Sequence, residues 1–193
     1  MKRFFSGLRK KATTTAVKDD DRFGTGLWRH NRDRFIRAVD RYYTTAVALH
    51  EARDSGGSAT SGTASANADD TSDGKATAAS AKDPVDVIVD GTHRLNALVD
   101  VVVELTATLH ARFPVTGQVV PGPARQAVGD APELLTKASS KVGEAVLAAS
   151  MARSERPTGR SIDSSAEATA RFITDAEELL GRAREILARV EAS

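Results

Sequence analysis

The chain has 193 residues, 27 basic and 26 acidic side chains, nine aromatics and no cysteine. Without cysteine it offers neither a disulfide scaffold nor a thiolate metal site, and no apolar run approaches the roughly 18 residues of a membrane-crossing helix. A net charge of +1 singles out no partner, so the information lies in how charged and apolar residues are distributed.

Residues 1–18 carry six positive charges and no negative one, and Asp19, Asp20 and Asp21 follow at once. If residues 1–12 are helical, a step of about 100° per residue gathers Met1, Phe4, Phe5, Leu8 and Ala12 into one sector. Lys2, Arg3, Arg9 and Lys10 fall elsewhere. Such a basic amphipathic segment suits an anionic membrane surface: Phe4, Phe5 and Leu8 enter the acyl boundary, while Lys2, Arg3, Arg9, Lys10 and Lys11 meet the headgroups. A secretory signal is not expected, because Arg9, Lys10 and Lys11 stand where its apolar run would begin. The expected location is therefore cytoplasmic, peripheral on the inner membrane face. With so few apolar side chains the anchor is expected to be reversible, strengthened if the protein oligomerises. Gly24 and Gly26 read as a hinge before the first long helix.

In that helix Trp28, Arg32, Phe35, Val39, Tyr42, Ala46 and Leu49 recur at steps of four and three, with Ile36, Tyr43 and Val47 widening the stripe. Core packing accounts for the aromatics without a cofactor. Arg29, Arg32, Arg34, Arg37 and Arg41 lie on the same segment beside Trp28 and Tyr43, and arginines spaced this densely can contact phosphates. Asp33 and Asp40 interleave with them, so a salt-bridged, solvated face is expected and nucleic acid is the weaker alternative. Residues 55–82 consist only of serine, threonine, alanine, glycine, aspartate, asparagine and lysine, with no side chain larger than alanine that could enter a core, and read as a disordered insert.

Asp83 is the expected N-cap of the second helix, with Pro84 at its first position. Its stripe is Ile88, Gly91, Leu95, Leu98, Val102, Leu105 and Leu109, and Pro114 marks its end. Val87, Val99, Val101 and Val103 lie off this stripe, so the helix is expected to be the most buried or to present a surface to a protein partner. After a proline- and glycine-rich connection, Asp130 and Glu133 have capping-box spacing. The third stripe, Leu135, Ala138, Val142, Ala145, Ala149 and Ala152, suits close helix contact and stops before Pro157. Ser164 and Glu167 suggest a second capping box, followed by Ala166, Ile173, Ala176, Leu180, Ala183, Leu187 and Val190.

Four such stripes predict an all-α protein, a four-helix bundle packed as in a coiled coil, with residues 1–18 detached and 19–193 forming one domain. Up-down-up-down is the simplest arrangement, although the long second connection permits another order. If the first two helices are antiparallel, His30, Asp33 and His110 form one conceivable metal cluster and His50, Glu51, Asp90 and His93 another. A metal-binding enzyme or sensor is therefore an alternative. The phase argues against it, because His30, His93 and His110 fall outside the apolar stripes. No nucleophile motif or phosphate-binding glycine loop is present. The expected function is a non-enzymatic adaptor or scaffold without a cofactor, bound to an anionic membrane and to an unidentified protein.

Overall fold

The computed structural model describes residues 19–57 and 82–192. The basic segment 1–18 and most of the expected insert lie outside the described residues. A short helical turn at residues 19–23 leads into α1 (Leu27–Gly57), α2 (Pro84–Arg112), the short α3 (Gly122–Val128), α4 (Ala131–Glu155), a 3-10 turn (Arg156–Thr158) and α5 (Asp163–Glu191). There is no strand among the described residues.

The four long helices bury the stripes that their spacing marks out. On α2, Ile88, Gly91, Leu95, Leu98, Val102, Leu105 and Leu109 are all buried, as are all six stripe residues of α4. On α1 the stripe is interrupted only by half-buried Arg32, and on α5 only by half-buried Val190. Trp28, Phe35 and Tyr42 are almost wholly enclosed and supply the bulk of the core, whereas Tyr43 points outward and is 55% exposed. The alanines of α4 and α5 permit the close approach that makes these two the most extensively paired helices. Val87, Val99 and Val101 rest partly buried against the core.

Helix directions alternate, but the helices are not arranged around the bundle in chain order. α1 is antiparallel to α2: Trp28 meets Phe113 at one end, and Arg53 meets Asp86 at the other. It is parallel to α4, with Asn31 beside Thr136 and Arg156, just past α4, reaching the Leu49 carbonyl. α5 is antiparallel to α4 through Lys141 with Asp175 and Ser165 with Glu155. It is parallel to α2 through Arg94 with Glu177 and Arg112 with the Val190 carbonyl. The order around the ring is thus α1, α2, α5, α4, and the connection from α2 to α4 crosses one end of the bundle. That crossing carries α3 and buries Val115, Val120 and Val128, three core residues outside every stripe.

Local chemistry sets the helix ends, not always as the spacing suggests. Asp83 accepts a hydrogen bond from the Val85 amide at 2.8 Å, the expected cap. The Asp130 side chain makes no cap hydrogen bond, and Glu133 is drawn to Arg125 at 2.6 Å instead of turning back to the helix end. α5 begins at Asp163, one residue before the expected cap, and Ser161 rather than Ser164 accepts from the Asp163 amide. The first turn of α1 is satisfied by the crossing connection: the Leu27 amide donates to the Gly117 carbonyl at 2.9 Å.

Candidate functional site

The two conceivable metal clusters are not assembled among the described residues. Asp90 is held by Lys82 at 2.7 Å, and that hydrogen bond lowers its carboxyl below the ordinary value. His50 lies 3.6 Å from Asp54 and shares a contact with Arg53, while His93 is exposed. His30 is also exposed. His110 departs from the expected outer position: it is half-buried, its Nδ1 has no hydrogen-bond partner, and its ring packs against Gly24. A Cβ at Gly24 would stand 2.8 Å from His110 Nδ1, and the φ of +67° there suits glycine. Among the described residues no three His, Asp or Glu side chains are placed to hold a metal ion together.

Two features involve groups outside the apolar stripes. The first is the root of the N-terminal segment. Phe23 is buried to 1% exposure beneath the Arg32 guanidinium, which stacks 4.1 Å from the ring centroid. Asp19 pairs with Arg32 at 3.3 Å and Asp20 pairs with Arg29. The acidic run after residue 18 therefore fastens the turn at residues 19–23 to α1. Phe23 was legible only as an aromatic side chain ahead of two glycines, outside any helical period.

The second feature is a surface groove of about 570 Å³ between α1 and α4. Arg34, Arg37 and Arg41 form one wall, Ser140, Gly143 and Leu147 the other, and Glu144 stands at the edge. Arg34 donates to Ser140 Oγ at 3.3 Å. Arg37 and Arg41 are exposed and form no ion pair among the described residues. The expected salt-bridged face is found in part: Asp33 pairs with Arg29 and Arg32, whereas Asp40 forms no pair with Arg37 or Arg41. Some arginines elsewhere in the bundle are paired, although Arg153, Arg171, Arg182 and Arg184 likewise form no ion pair among the described residues. Arg53 pairs with Asp86, Arg125 with Glu133, and Arg94 grips Glu177 through two hydrogen bonds of 2.8 and 2.6 Å. That grip raises the Arg94 guanidinium above its ordinary value. Leu147 is 67% exposed, and Met151, one turn further along α4, is 56% exposed. Both fall off the α4 stripe, the sequence signal that could have marked them.

A second groove is lined by Leu27, Val119, Val120, Pro132 and Thr136 beside the crossing connection. Tyr42, the most deeply buried phenol, serves the fold: it donates to the Ile88 carbonyl at 2.7 Å, and burial raises its ionisation above the ordinary value. No helix among the described residues is long and apolar enough to cross a membrane. Comparison with known protein families, curated proteins and solved structures finds no match.

Proposed function

We propose that this chain is a non-enzymatic helical-bundle adaptor, cytoplasmic and attached peripherally to an anionic membrane by residues 1–18. The observation that carries the reading is the abrupt separation of charge at residue 18: six cations and three large apolar side chains, Phe4, Phe5 and Leu8, stand before it, and three aspartates follow. The fastening of Asp19, Asp20 and Phe23 to α1 supports it, because a short anchor positions a domain only if its root is held. The filled interior supports a non-catalytic role, since the largest aromatic side chains are spent on packing. In this role the protein places a partner near the lipid surface.

The test is co-sedimentation with anionic and neutral vesicles, comparing the full chain with one beginning at Asp19 and with Phe4→Ser combined with Phe5→Ser. The full chain is expected to sediment with anionic vesicles, less so as salt rises. Both altered chains are expected to remain in the supernatant. Equal recovery of all three would reject the anchor.

A further inference from the structure

From the groove between α1 and α4 we infer a docking site for an acidic amphipathic helix of a partner protein. This rests on the adaptor reading for its purpose and adds the partner's chemistry. Arg34, Arg37 and Arg41 are spaced i, i+3, i+7, so their cations line about 10 Å of helix axis. A second helix laid along the groove repeats that spacing, and carboxylates at its own i, i+3 and i+7 positions would face the three guanidiniums.

Charge complementarity favours an acidic occupant because Arg37 and Arg41 form no ion pair among the described residues that it would have to displace. Arginine is also well suited to bidentate carboxylate recognition. The opposite wall selects a helix rather than a bare acidic tail. Gly143 has open space where a side chain would stand, which keeps the groove floor low, and Leu147 projects beside it for an apolar anchor. Met151 extends the apolar rim by one turn and can repack around different partner side chains. Glu144 on the rim is paired with Lys141 at 2.9 Å, so its charge is offset within the domain.

The test uses the full chain without lipid, so that this site and the membrane anchor fail separately. The probe is a fluorescent helical peptide of about four turns, bearing Glu at i, i+3 and i+7 beside a leucine. Controls carry Gln or Lys at the three positions. Binding is read by anisotropy. The acidic peptide is expected to bind at least about tenfold more tightly than the Gln peptide, with affinity falling as salt rises. Arg37→Glu with Arg41→Glu is expected to weaken it by about tenfold or more and to favour the Lys peptide, with the unfolding midpoint little changed because both residues are exposed. Leu147→Ser is expected to weaken it by about fivefold.

Equal binding of the acidic and Gln peptides would overturn the site. So would no binding at roughly millimolar peptide, or retention by the double variant. Tighter binding of a single-stranded oligonucleotide or an anionic vesicle through these same arginines would overturn it in favour of a phosphate surface.

Discussion

Gly91 on α2 faces Tyr42 of α1 and Ile173 of α5. A Cβ built there would stand 2.7 Å from Ile173 Cδ1 and 3.1 Å from Tyr42 Cζ, and closer still to the Tyr42 hydroxyl. Gly91→Ala therefore has to move a phenol that donates to the Ile88 carbonyl from inside the core. Alanine brings about 0.8–1 kcal/mol of helix propensity. Overpacking costs about 1–3 kcal/mol, and a buried phenol deprived of its acceptor costs about 1–3 kcal/mol more. The expected net loss is about 3 kcal/mol, with a range of about 1–5, equivalent to a fall in Tm of about 6–12 °C at this chain length. Urea unfolding followed through Trp28 measures it directly, because this is the chain's one tryptophan and it is fully buried. Tyr42→Phe removes the atom nearest the new methyl group, so the cost of Gly91→Ala in that background should shrink by about 1–2 kcal/mol. A Gly91→Ala protein as stable as the parent, or a strictly additive double variant, would refute this account of the crossing.

The same phenol predicts an alkaline limit to stability. Burial raises the Tyr42 ionisation above its ordinary value of 10.0, with Arg94 partly opposing. Since the unfolded chain loses that proton first, this contribution is full below about pH 10 and declines by up to about 1.4 kcal/mol per pH unit above it. Tyr42→Phe should flatten this part of the stability curve; an unchanged alkaline slope would assign the loss to other groups. At the root, Phe23→Ala should cost less than the roughly 3–5 kcal/mol of an enclosed phenylalanine, because the turn at residues 19–23 can undock. Hydrogen exchange should then quicken at the Gly24 amide, which donates to the Asp20 carbonyl at 2.9 Å, while α5 stays protected. A full core penalty without local exchange would mean that Phe23 is an ordinary core residue.

Periodicity alone determined the four long helices and most residues of their buried faces, because steps of three and four keep apolar side chains on one side of a 3.6-residue turn. The Asp83 cap followed from the same local chemistry, since its partner lies two residues away. The sequence also marked residues 1–18 as distinct through charge alone. Only the tertiary structure decided the order α1, α2, α5, α4, because four similar stripes can close a core in more than one ring and the selection falls to the crossing connection with Val115, Val120 and Val128. It also decided which charges are used. Asp33 and Asp40 look equivalent among the arginines of α1, yet only Asp33 takes partners, drawn to Arg29 and Arg32 at the end where the turn at residues 19–23 docks. Glu133 was claimed by Arg125 across the α3–α4 turn instead of capping its own helix. Whether a charge finds a partner depends on distances between separate segments, and a single helix's spacing does not contain them.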